Sequence, residues 1–198
     1  DRVEDYVEDV VAFMGAVGLN SAVWIGHSMG GAIALHAALH QPGRVLGLGL
    51  IGSSARLRVD SQLLEHTTRG EAFPAALKLI GERAFSDATD PRLKQLAMQR
   101  MGEMRPAVLH GDMIACNAFD ELERLGEIRV PTLIVCGVQD RMTPPRSAEM
   151  LLSGIRGSEL CVMRDAGHMV MLEKPEETAG ALERFLNSID YKPGGRND

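Results

Sequence analysis

Gly26-His27-Ser28-Met29-Gly30 has the form G-x-S-x-G. It follows the apolar run Ala22 to Ile25 and precedes a run of small residues, Met29 to His40. A serine on a sharp turn between a strand and a helix has its Oγ lifted clear of the sheet, where it can attack a carbonyl. Flanking glycines let neighbouring backbone come close without a Cβ clash, and Gly31 and Ala32 extend that allowance into the helix. Gly-Ser-Gly turns also occur with no chemistry at all; the strand–turn–helix setting is what separates the two readings. Serine is a weak nucleophile at neutral pH and needs a base, which in turn needs an orienting acid. Asp140 follows the apolar run Leu133 to Gly137, and His168 closes Asp165-Ala166-Gly167-His168 just past a fourth apolar run. In this reading His168 takes the Ser28 proton and returns it to the leaving group, while Asp140 holds the imidazole in one tautomer.

The remaining candidates have plainer readings. His27 adjoins Ser28, and a sharp turn is expected to aim it away from the base; with Met142 and Met169 it is a candidate for lining a substrate pocket. His36 and His40 are four apart on a helix, as in a metal pair, but the Glu of H-E-x-x-H is missing there, so they read as ordinary helix residues and no metal is expected. His66 and His110 read as surface or cap residues of a helical segment. Asp165 rivals Asp140 as the acid, but its place three residues before His168 suits a turn. Cys116, Cys136 and Cys161 read as small hydrophobes.

Four short apolar runs are expected to be buried strands: Ala22 to Ile25, Val45 to Ile51, Val130 to Val138 and Leu160 to Met163. Helical spacing marks Asp1 to Gly18, Met29 to His40 and Pro175 to Ile189. Strands alternating with helices predict an α/β fold with a parallel sheet, and on such sheets ligands gather at the carboxyl ends of strands, where Ser28, Asp140 and His168 all fall. Between Ser53 and Glu127 the alternation stops. Pro74, Pro91 and Pro106 separate expected helices there, so residues 53–127 read as a helical insertion over a core of 1–52 and 128–190. Residues 191–198 are a polar Pro/Gly tail, expected to be disordered.

The chain has 198 residues, 45% hydrophobic and 24% charged, which argues against wholesale disorder. Its 21 Lys and Arg against 27 Asp and Glu give a net charge of −6 with no basic cluster, so a nucleic-acid groove is not expected. No apolar run approaches the ~20 residues of a membrane helix. Three cysteines without paired spacing favour a reducing compartment, and the cytoplasm is the expected location. The first residue is Asp1, and Asp1 to Asp9 already holds five acidic side chains, so no signal peptide is read and the chain is expected to be cut from something longer.

Taken together, the sequence resembles the carboxyl-terminal two-thirds of an α/β-hydrolase-fold enzyme, from about Asp1 to Asp190. Gly26 to Gly31 (GHSMGG) resembles the nucleophile elbow of esterase, lipase and enol-lactonase-like members. Val130 to Pro144 (VPTLIVCGVQDRMTP) resembles the family's acid strand, and Asp165 to His168 followed by Glu173 to Glu176 resembles its histidine loop and last helix. The order Ser, Asp, His is the one these folds use. The resemblance implies a helical cap or lid over residues 53–127, no cofactor, and a backbone N–H of Met29 in the oxyanion hole. It also implies amino-terminal strands that this sequence lacks, and with them a second oxyanion donor. Losing one such donor costs on the order of 10²–10³ in kcat, so weak activity is expected of the fragment, and Ala22 to Ile25 is expected to be an apolar sheet edge.

The expected activity is cleavage of a carboxylic ester, lactone or thioester of a small apolar acyl group through an acyl-enzyme. Met98, Met101, Met104 and Met113 read either as core or as an apolar pocket under the lid. No Arg or Lys of the motif loops is required to bind a substrate carboxylate, and the directions of Arg141 and Arg146 are not set by the sequence. An enol-lactonase, a C–C bond hydrolase or a cofactor-free perhydrolase would use the same triad, since fold does not fix function. A non-catalytic interaction fragment is the alternative from another class. The oligomeric state is not legible.

Overall fold

The structure, a computed structural model, describes residues 2–189. Asp1 and the expected disordered tail 191–198 lie outside them, as does Asp190. Four parallel strands run in the order β1 (Ala22–His27), β2 (Val45–Ile51), β3 (Thr132–Gly137) and β4 (Glu159–Met163). Their register sets His27 beside Ile51 and Ile51 beside Val135, so the carboxyl ends of β1, β2 and β3 come level.

Alternation along the strands divides the core. Leu48, Leu50, Ile134 and Cys136 point to one face, where they pack with helices α1 (Val3–Ala16), α2 (Met29–His40) and α7 (Pro145–Gly154). Ile51, Leu133 and Val135 point to the other and meet α9 (Pro175–Ser188) through Ala181 and Phe185. Helix α2 packs closely because its small residues Ala32, Ala34, Ala37 and Ala38 let neighbouring elements approach; each is buried.

Between β2 and β3 the chain forms α3 (Ser61–Thr68), α4 (Phe73–Arg83), α5 (Pro91–Gly102) and α6 (Pro106–Ala118), and no strand appears there among the described residues. Pro91 and Pro106 each open a helix, where the missing N–H costs nothing. These helices share a hydrophobic cluster of their own around Leu63, Phe73, Ile80, Phe85 and Leu109. The two ends of the segment are stitched together by an antiparallel bridge between Arg56 and Asp120, by Glu121 N–H donating to the Ala55 carbonyl, and by Arg56 and Arg58 both paired to Asp120. The remaining helix, α8 (Val170–Glu173), is one turn after His168. Among the described residues no helix is long and apolar enough to cross a membrane.

Candidate active site

Ser28 is the residue between β1 and α2, and its backbone sits at φ 52°, ψ −117°. That left-handed region is costly for a side chain and persists only where the surroundings hold it. Here the Ser28 N–H donates to the Ile51 carbonyl at 2.9 Å. The Ser28 carbonyl accepts from Gly31 N–H at 3.0 Å and from the Ser53 hydroxyl at 2.8 Å. Although Ser28 precedes the first turn of α2, its Oγ does not cap the helix. The Met29 N–H is the first of that helix, so no intrahelical carbonyl claims it.

Asp140 and His168 form a buried pair, 3% and 4% exposed, with His168 Nδ1 2.8 Å from Asp140 Oδ2. The other donors leave the carboxylate one orientation: Met142 and Thr143 N–H groups reach Oδ1 at 2.8 Å each, and the Thr143 hydroxyl reaches Oδ2 at 2.8 Å. Burial pushes the Asp140 carboxyl up, but the bond and charge of His168 and the Thr143 donors outweigh it and hold it below the usual carboxylate range. An ionised Asp140 accepts from Nδ1–H, which leaves Nε2 of neutral His168 free to take a proton.

The loop carrying His168 is pinned by Glu173. Its Oε1 accepts from Gly167 N–H at 2.8 Å, and its Oε2 from Ser86 N–H and the Thr89 hydroxyl at 2.9 and 2.6 Å. Gly52 lies against the pair at φ 49°, and a Cβ there would stand 3.3 Å from His168 Nδ1. The same β2 terminus therefore meets both ends of the site, through Ile51 and Ser53 at Ser28 and through Gly52 at His168. Among the described residues no hydrogen bond joins Ser28 Oγ to His168 Nε2; such bonds commonly tighten only with substrate bound.

The expectation that His27 turns away from the base does not hold. Its Nε2 lies 2.9 Å from the His168 carbonyl, and the two rings are 4.6 Å apart. Burial and the neighbouring His168 lower the His27 pKa to about 4. Of the candidate pocket residues, Met142 lines the cleft of about 340 Å³ that opens at Ser28, together with Leu57, Leu63, Met113 and Cys116. His27 and Met169 do not line it; Met169 faces a separate apolar depression with Leu96, Met101 and Leu172. Asp165 occupies a turn at φ 53° with its side chain exposed, and the acid on His168 is Asp140. The three cysteines are free. Burial pushes the Cys116 and Cys136 thiols up to about 12 and about 11, so neither competes as a nucleophile.

His36 and His40 are less ordinary than their spacing suggested. Glu121, supplied from the far end of the helical segment, accepts from His36 Nδ1 at 2.8 Å and has its Oε1 2.9 Å from His40 Nε2. The three donor atoms lie within 4.8 Å of one another, a set that could ligate a metal. The Arg124 guanidinium stands 2.7 Å from His40 Nε2 and opposes a second cation there, so the cluster is best described as a polar clasp from α2 to the segment's end. Sequence reasoning gave no site role to Ser53, Thr143 or the cleft arginines Arg58 and Arg83, and it named Glu173 and Arg141 without one. The usable signals were the Ser-Ser just after β2, the threonine three past Asp140 and the glutamate two before Pro175.

Residues 1–181 match the family described as the alpha/beta hydrolase family. The pimeloyl-[acyl-carrier protein] methyl ester esterase of Neisseria meningitidis is 32% identical over 190 residues, covering 87% of this chain and 59% of that protein. The chain thus spans less than two-thirds of that relative's length. The 3-oxoadipate enol-lactonase 1 of Acinetobacter baylyi is 29% identical, covering 92% of this chain and 70% of that enzyme. Among solved structures, a thermophilic esterase superposes with a TM-score of 0.85 at 36% identity, covering 96% of this chain and 75% of that one. With its parallel sheet, its strained serine after β1 and this match over nearly its whole length, the chain belongs to the α/β hydrolase family.

Proposed function

We propose that this chain carries the serine nucleophile, acid and base of a carboxylic ester hydrolase: Ser28, Asp140 and His168. The observation that carries the reading is the buried 2.8 Å Asp140–His168 pair at the same sheet end as a serine held at φ 52°. His168 Nε2 takes the Ser28 proton as Oγ attacks the ester carbonyl. The oxyanion of the tetrahedral intermediate falls to the Met29 N–H, at the positive end of α2. His168 then protonates the departing alcohol, leaving an acyl-serine that water hydrolyses by the same steps in reverse order of roles. Asp140 keeps Nδ1 protonated and stabilises the imidazolium; it takes no proton itself.

The cleft beside Ser28 is walled by Leu57, Leu63, Met113 and Met142, which suits a small apolar acyl chain, with the helices of 53–127 acting as its lid. Support comes also from relatives named as a methyl ester esterase and as an enol-lactonase. A lactone is an internal ester, so the same residues serve either substrate.

A fluorophosphonate probe read by intact mass tests this. One adduct is expected on the wild-type chain and none on Ser28→Ala, whose ester turnover falls by on the order of 10⁴-fold or more. An adduct that persists in Ser28→Ala overturns the assignment.

A further inference from the structure

Arg83 and Arg141 stand on the wall of the same cleft as Ser28. Arg83 ends α4, and its partner is the Asp60 carboxylate, 3.0 Å from Nη2. Asp60 also caps α3 by accepting from Gln62 N–H, so it fixes the guanidinium against a rigid helix end. Arg141, next to Asp140, donates through Nη1 to the Glu82 carbonyl and through Nη2 to Asp87. Glu82 immediately precedes Arg83, so both guanidinium groups gather at one helix terminus. A guanidinium has five N–H donors, and the bonds above leave several on each arginine uncommitted. Arg58, the third arginine of the cleft, is different. Its Nη1 serves the carbonyls of Leu57, Asn117 and Phe119 and its Nη2 serves Asp120, so its role is in the stem of the helical segment.

The charge of the cleft runs against that of the chain. The protein has a net charge of −6, yet three arginines and one acid, Asp60, line this cleft. Capping the α4 carboxyl end accounts for the Arg141 bond to Glu82. It does not account for both forks lying on the wall that Ser28 shares. We propose that Arg83 and Arg141 form an anion-binding end to the cleft, and that the acyl part of the substrate ends in a free carboxylate: a half-ester of a dicarboxylic acid, or a lactone bearing one. The acyl chain then lies along Leu57, Leu63 and Met142, with its ester at Ser28 and its carboxylate on the two arginines. This assignment rests on Ser28 as the nucleophile.

The test compares monomethyl glutarate with methyl pentanoate, and monomethyl adipate with methyl hexanoate, pairs that differ only in the terminal carboxylate. The wild-type chain is expected to favour the half-ester by about tenfold or more in kcat/KM, mainly through KM, and less so at high salt. Arg83→Met and Arg141→Met are each expected to lose most of that ratio, and Arg83→Lys to keep part of it. Both esters are measured on one preparation, so any unfolded fraction cancels in the ratio. Equal rates on the two esters in the wild type, or a preference that survives in both Met variants, overturns the proposal. Should neither ester turn over and Ser28 take no fluorophosphonate, the nucleophile assignment fails. Calorimetric titration with glutarate then decides the arginine end on its own: binding lost in Arg83→Met upholds it, and no binding to the wild type overturns it.

Discussion

His27 holds back a proton that the unfolded chain accepts. An exposed imidazole titrates near 6.5, whereas burial and the neighbouring His168 bring His27 to about 4. Between those values the unfolded state binds more protons than the folded one, so stability falls as pH falls through that window. From pH 7.5 to pH 5 the loss due to His27 comes to about 2 kcal/mol. Urea unfolding of wild type and His27→Gln at the two pH values checks it: the wild type is expected to lose about 2 kcal/mol more, and parallel losses would refute the assignment. His36, also lowered by burial and by His40, adds a loss of the same sign to both proteins. The proposed Ser28, Asp140 and His168 stand out in the sequence because each is a chemically distinctive type in a short motif beside an apolar run. Their supports do not. Ser53 lies 25 residues from Ser28, Glu173 bonds to Ser86 across 87, and Glu121 to His36 across 85. No local pattern announces a bond that only the tertiary fold closes.

At the scale of elements, the four strands and the helices beside them were legible from apolar runs and helical periodicity, with ends displaced by a few residues. β1 runs on to His27, two residues past the apolar run, because pairing with Leu50 and Ile51 of β2 continues after the side chains turn polar. β3 is shorter than its apolar run, beginning at Thr132 just after Pro131, which has no N–H for a ladder. The turn between β1 and α2 depends on Gly26. A Cβ there would overlap the Gly30 carbonyl and stand 2.5 Å from Gly31 N, backbone atoms that cannot swing aside. Gly30 itself has open space, with nothing within 4 Å of where a Cβ would stand. Gly26→Ala is therefore expected to cost about 3 kcal/mol or more, and Gly30→Ala to be neutral or to stabilise by up to about 1 kcal/mol through helix propensity. Urea midpoints of the two variants measure this; equal midpoints would show that the turn relaxes freely.

The molecule as a whole presents a sheet whose first strand lies at an edge. Among the described residues β1 pairs with β2 alone, as its place at the end of the sheet order requires. A strand edge with unpaired N–H and carbonyl groups is a template for another chain, and charges or bulges are the usual protection. β1 carries no Lys, Arg, Asp or Glu, its one register irregularity lies at its start between Ala22 and Val23, and Ile25 in its middle is 42% exposed. Close by in sequence, Phe13, Val17 and Leu19 are 63%, 52% and 47% exposed, whereas the buried members of α1 are Val3, Val7 and Met14. Self-association of this chain that rises with concentration is the expected consequence, and sedimentation velocity over a dilution series would detect it. Ile25→Lys should push the balance toward monomer. Its methylene stem can still cover Gly49, which Ile25 now touches, while its ammonium reaches water and repels a second edge. Phe13→Lys separates the two possible contacts: if the edge is responsible, it leaves association nearly unchanged, whereas a drop with Phe13→Lys and none with Ile25→Lys places the contact on α1 instead.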